Sequence, residues 1–231
     1  MPRLMSEKSI VTRESLLNGE IERLVQHGRN GQRAMSDEER CELVKNTLDN
    51  LGEDSELWVF GYGSLIWNPA IDFEEQRRCC IKGYQKKFCF WTTLSRGCEE
   101  QPGLMIGLVE GHECNGVAYR IDSEKAASEL DILFRREMGS FVYKPTWVEA
   151  RCSQTNTSFN ALTFVVDSAN DRYVEDLTQA DMVSTIATAR GPLGRNCDYL
   201  FQLSDKLCEL GFEDPELQTL AIQVREYQAT L

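Results

Sequence analysis

The hydrophobic positions in the first fifty residues recur at helical spacing. Leu17, Ile21, Leu24 and Val25 make one apolar stripe, broken by Gly28 and Gly31, and Leu43, Val44, Leu48 and Leu51 make another. Ser36 followed by Glu39 opens the second stripe as a capping box, with Gly52 as its expected stop. The pattern predicts two helices over 13–51. They carry few residues suited to chemistry, so the expectation is that they pack on the outside of whatever follows.

From Leu57 the pattern changes to short apolar and aromatic runs: LWVFGY, CCIKGY, KFCFWT, LMIGLVE, GVAYRI, TWVEAR and ALTFVV, separated by segments rich in Gly, Pro, Asn and Asp. Each reads as a short strand. A helical stripe through Ala126, Ala127, Leu130, Leu133 and Phe134, with Ser123 as its N-cap, interrupts them. After Asp167 the helical period returns over 178–190, 197–210 and 215–228, punctuated by Gly191, Pro192, Gly211 and Pro215. Strands are thus segregated from helices, which argues for an α+β fold around a small, mixed or partly closed β-barrel.

Composition narrows the function. The 231 residues carry a net charge of −12, and basic residues do not cluster, which excludes the basic stripe that nucleic acid or an anionic membrane requires. No apolar run approaches the ~18 residues of a membrane-spanning helix, and the first residues do not read as a secretion signal, so the expected location is the cytoplasm. Nine cysteines, an odd number in a chain of this length, read as reduced thiols. There is no C-x-x-C pair, Cys79 and Cys80 point to opposite faces of a strand, and His27 and His112 sit in no ligand spacing; no metal and no cofactor is expected.

The segment richest in chemical possibility is 58–67, a strand that runs into Gly61, Tyr62, Gly63 and Ser64. Successive backbone N–H groups in such a turn can cradle a carboxylate or a carbonyl oxygen gaining charge, although a plain glycine-rich turn has the same composition. The segment matches neither a P-loop, nor a dinucleotide fingerprint, nor a nucleophile elbow. A second candidate is Glu137, at the end of the inserted helix. A carboxylate against apolar packing can act as a base, but on composition alone Glu137 reads more readily as a surface partner of Arg135 or Arg136.

Taken together, Val59, Phe60, Gly61, Tyr62, Gly63, Ser64 and Leu65, followed some seventy residues later by Arg136 and Glu137, resemble the ChaC family of glutathione-specific γ-glutamylcyclotransferases. Arg96 and Gly97, Gln101 to Gly103, Gly116 to Tyr119, Tyr143, Gly191 to Gly194, Asn196, Tyr199 and Leu200 follow in the family order. The resemblance covers 57 to about 228. It implies a small mixed barrel of the γ-glutamylcyclotransferase-like type with surrounding helices, a domain over 57–231, and 1–56 as an N-terminal helical extension.

The implied reaction is intramolecular aminolysis of glutathione to 5-oxoproline and Cys-Gly. Glu137 is the implied general base and acid; residues 59–65, with Tyr62, Ser64 and Tyr143 as walls, bind substrate. Arg96 is the first candidate for the glycine carboxylate, ahead of Arg135 and Lys144. In place of the paired glycines that some members carry before the tyrosine, this chain has the bulkier Phe141 and Val142 ahead of Tyr143, so backbone approach is expected to differ there. The expected partner is the small molecule alone, with no nucleic acid and no membrane, and a monomer is favoured. Action on other γ-glutamyl amines, a binding module without turnover, and a thiol enzyme using Cys114 near His112 are the alternatives.

Overall fold

The computed structural model describes residues 11–27, 34–51, 56–139 and 141–231, with backbone alone at 24–27. Among the described residues three helices precede the first strand, where the apolar stripes predict two: α1 (Arg13–Leu17), α2 (Glu20–His27) and α3 (Asp37–Asp49). Thr12 caps α1 through a box with Ser15, and the chain then breaks at Gly19, whose φ of 68° is left-handed. That break shifts the stripe. Leu16 is 0% exposed and Leu17 54%, the reverse of the predicted face. The box of Ser36 and Glu39 opens α3 as read, and Val44 is buried. The side chains of Leu24 and Val25, and Gly28, Gly31 and Gly52, lie outside the described residues.

Five strands make the barrel: β1 (Leu57–Gly61), β2 (Glu75–Thr92), β3 (Gly103–Ile121), β4 (Tyr143–Cys152) and β5 (Ser158–Val166). The order is β1-β3-β2-β4-β5, closed by β5 on β1. Neighbours are antiparallel, β4 with β5 included, except where β5 meets β1 at Val59↔Leu162 and β3 at Leu108↔Val165 in parallel. The seven predicted runs become five strands because two pairs of runs are continuous. Gly83, at φ 82°, is not a turn between strands but a bulge within β2, opposite Gly111 and His112, where the register slips between Lys82 and Tyr84.

The inserted helix α4 (Ala126–Glu137) follows a 3₁₀ turn, and its capping side chain is Asp122, not the predicted Ser123. The C-terminal helices α5 (Gln179–Thr188), α6 (Asn196–Glu209) and α7 (Pro215–Gln228) fall where the period placed them. A short antiparallel pair, Arg190–Gly191 with Gly194–Arg195, joins α5 to α6.

The main apolar core runs through the barrel and the helices, with Trp58, Phe60, Tyr119, Phe134 and Phe164 among its largest buried side chains, and a smaller cluster gathers Cys89, Phe90, Val142 and Val166. Leu16 and Val44 of the first three helices belong to that same core. No described helix is long and apolar enough to cross a membrane.

Candidate active site

The site begins where β1 runs out of room. A Cβ on Gly61 would stand 2.7 Å from Leu65 Cβ, so glycine lets the chain fold straight back into the 3₁₀ turn Ser64–Ile66. Tyr119, buried in β3, fixes the turn by donating its hydroxyl to Leu65 O at 2.9 Å. The first N–H groups of a helical turn have no partner within it, and Ser64 and Leu65 open this one.

The C-terminal end of α4 meets that turn. Arg136 donates to Ser64 Oγ at 2.8 Å and to the Asn68 carbonyl, while its Nε lies 2.9 Å from Glu137 Oε1. This is not a solvated surface pair, since the two side chains are only 8% and 13% exposed. Burial holds the Glu137 carboxyl above the ordinary glutamate range, with Arg136 pulling the other way.

Three tyrosines surround this carboxylate. Tyr62 donates its hydroxyl to Phe164 O at 2.7 Å, and Tyr143, at the start of β4, donates to Ile106 O at 3.1 Å. Burial first, and then the neighbouring charges, raise both phenols well above their usual value, so both stay protonated. With their protons committed to backbone carbonyls, their oxygens have only lone pairs left to offer a ligand. Tyr199 comes from α6, whose first residue, Asn196, pairs with both the N–H and the C=O of Leu104, each at 2.7 Å. The fit is close: a Cβ on Gly63 would lie 3.2 Å from Tyr199 Oη.

These groups line one cavity of about 210 Å³. It brings together Tyr62, Gly63, Ser64, Leu65, Arg96, Glu137 and Tyr143 of the residues singled out in the sequence. Val59, Phe60 and Gly61 are not on its wall; they are buried in β1 and act by placing the turn. Arg135 is turned outward to Asp131 and Glu22, and Lys144 to Asp167, so neither secondary candidate for a carboxylate reaches the cavity. Phe141 and Val142 do not line it either; Val142 packs with Cys89, Phe90 and Val166.

Cations are present despite the net charge. Arg96 lies 5.9 Å from the Tyr199 ring centre, in a loop packed so tightly that a Cβ on Gly97 would fall 2.0 Å from Gly103 N. Arg172, on the loop after β5, reaches the same cavity without any sequence motif to announce it. Burial lowers both guanidinium values, yet arginine remains charged at neutral pH. Val11 and Ile21, from the preface, also line the cavity and were not anticipated.

No cysteine is on the wall. Cys114 is buried, with its thiol pushed up to about 11, while His112 is exposed across the bulge; the two do not share a face. Among the described residues, no group of three or more His, Cys, Asp or Glu is arranged to hold a metal ion. What the cavity offers is one buried carboxylate, phenol oxygens, the N–H groups of a tight turn, and arginines. That set suits a small zwitterion or anion undergoing proton transfer.

The comparisons with known proteins agree with this geometry. The family model described as ChaC-like protein matches residues 57–227. The glutathione-specific γ-glutamylcyclotransferase of Escherichia coli is 38% identical over 84% of this chain and 84% of its own length. Glutathione-specific γ-glutamylcyclotransferase 1 of Homo sapiens is 31% identical over 74% of this chain and 79% of its own. In fold, the chain is similar to the crystal structure of a γ-glutamyl cyclotransferase specific to glutathione from yeast, with a TM-score of 0.70 and 21% identity, covering 77% of this chain and 99% of that one.

Proposed function

The chain belongs to the ChaC-like family, and from that premise we propose that it degrades glutathione as a γ-glutamylcyclotransferase, yielding 5-oxoproline and Cys-Gly. The observation that carries the reading is Glu137, a buried carboxylate held by Arg136 against the turn that begins at Tyr62, inside a cavity that Arg96 and Arg172 also line.

The α-ammonium of the γ-glutamyl group sits among Glu137 and the phenol oxygens of Tyr62 and Tyr143, which present lone pairs. Glu137 takes a proton, and the freed amine attacks the γ-carbonyl carbon of its own chain. Between ammonium and lactam the attacking nitrogen gives up two protons; between amide and ammonium the leaving nitrogen gains two. Glu137 carries protons from one to the other and ends as it began. The bond formed is the lactam C–N, and the bond broken is the C–N to cysteine.

Oxygen charge in the tetrahedral intermediate falls to the N–H groups of residues 62–65, a type of contact whose loss typically costs ~10²- to 10³-fold in rate. Enclosure by tyrosine and turn holds the extended γ-glutamyl chain in the folded-back geometry that attack requires. Arg96 is the group for the glycine carboxylate. In this reading residues 57–231 form the catalytic domain, 1–56 its helical extension, and the enzyme works as a monomer in the reducing cytoplasm, consistent with nine free thiols.

The test is to incubate purified protein with glutathione and identify the products by mass spectrometry. 5-Oxoproline and Cys-Gly in equal amounts are expected. Intact glutathione, or release of glutamate instead of 5-oxoproline, overturns the reading.

A further inference from the structure

The family match begins at residue 57, yet two side chains from well before it, Val11 and Ile21, form part of the cavity wall. Their position is built in. Arg13 donates through two nitrogens to Glu129 of α4, which is 2% exposed and also accepts from Asp72 N at 2.9 Å. Arg40 reaches Asp131 at 2.6 Å, and Glu22, the neighbour of Ile21, reaches Arg135 at 2.9 Å. These three anchors all fall on α4, the helix that ends in Arg136 and Glu137. A fourth contact comes from the turn side, where Asn68 Nδ2 donates to Val11 O at 2.7 Å while the Asn68 carbonyl accepts from Arg136. Val11 is therefore one residue removed from the arginine that holds Glu137.

We propose that Val11 and Ile21 are specificity-determining residues that receive the side chain of the residue joined to the γ-glutamyl group. The inference rests on the cyclotransferase reading above. Valine and isoleucine offer methyl groups and no donor or acceptor. Glutathione carries an ammonium, two carboxylates and two amides, all of which need polar partners, and its one small apolar side chain is the CH₂–SH of cysteine, which behaves as a small hydrophobe. The wall lies beside the turn and Glu137, where the bond to that residue breaks. An aliphatic wall there favours a thiol over a hydroxyl, which would lose its water without gaining a partner.

The experiment compares kcat/KM for γ-Glu-Cys-Gly, γ-Glu-Ser-Gly and γ-Glu-Gly-Gly in wild type, Val11→Ser, Ile21→Ser and the double variant. Leu17→Ser, on the exposed face of α1, serves as control, and thermal melts follow folding. Wild type is expected to prefer the cysteine peptide. Each wall variant is expected to lower its kcat/KM about three- to tenfold while leaving γ-Glu-Gly-Gly within twofold, so that the preference collapses. An equal loss on all three peptides, or no loss on any, overturns the proposal while the cyclotransferase reading stands. If wild type cleaves none of the peptides, that reading falls and this one falls with it.

Discussion

Arg136 Nε stands 2.9 Å from Glu137 Oε1, and consecutive residues at a helix end thereby form an ion pair almost withdrawn from water. A carboxylate in that position is costly to keep charged, and its partner is itself tethered to Ser64 Oγ and the Asn68 carbonyl. Glu137→Gln is expected to fold and to lose about 10²- to 10⁴-fold in kcat on glutathione, measured by 5-oxoproline release. Near-native turnover would remove Glu137 from its role.

The same residue sets a pH signature. Because burial raises its value in the fold, the protonated carboxyl is the better-tolerated form, and the stability it contributes is lost as pH rises through that raised value. Glu137→Gln does not titrate there. Its melting temperature is therefore expected to gain on wild type as pH climbs from about 4.3, the ordinary glutamate value, into the neutral range. A constant difference across that window would show that Glu137 titrates as it does in water.

Arg136 opposes the effect of burial, so its removal has a direction. In Arg136→Gln the acid limb of the kcat/KM profile is expected to move to higher pH than in wild type, with kcat down at least about tenfold as the turn loses its tether. An unmoved limb would mean that the profile reports another group.

Arg96→Ala is expected to raise KM for glutathione about 10- to 100-fold with a smaller change in kcat, since a charge-assisted contact to the distal carboxylate is lost. γ-Glutamyl amines without that carboxylate should respond to the substitution much less. Equal responses would assign Arg96 to the γ-glutamyl end.

Asn196→Ala strands the N–H and C=O of Leu104 in the core, each at a typical cost of about 1–3 kcal/mol. The expected result is a melting temperature lower by several degrees together with a fall in kcat, because Tyr199 hangs on the same helix start. Thiols should matter less. Iodoacetamide is expected to label the exposed Cys41 and Cys208 first without loss of turnover, as mass spectrometry with a parallel assay would show. The thiols of Cys79 and Cys89, pushed up to about 12 by burial, should stay inert.

Much of this was legible in the residues. The period of α5, α6 and α7 and the capping box of α3 depend on neighbours in sequence, and local pattern reports them well. The continuity of β2 and β3 was not legible, because a glycine in a bulge and a glycine in a turn look alike until the partner strand is known. Leu16 and Leu17 exchanged roles for a similar reason: Gly19 breaks the helix, and the stripe restarts in a new phase. In the site, the turn and Glu137 carry a recognisable pattern. Arg172, Val11 and Ile21 carry none, since they reach the cavity only through the closing of the tertiary structure.

The anchors on α4 also bear on when a newly made chain becomes an enzyme. Arg13 and Glu129 are 116 positions apart, and Glu22 and Arg135 are 113 apart, so these anchors of α1 and α2 can close only after α4 has been made. Tyr199 arrives later still, on a helix whose start is tied to Leu104 across 92 positions. The barrel can begin to pair during synthesis, but the cavity has all its walls only once α6 is out. A ribosome-held chain ending before that helix would bind its substrate poorly and turn none over.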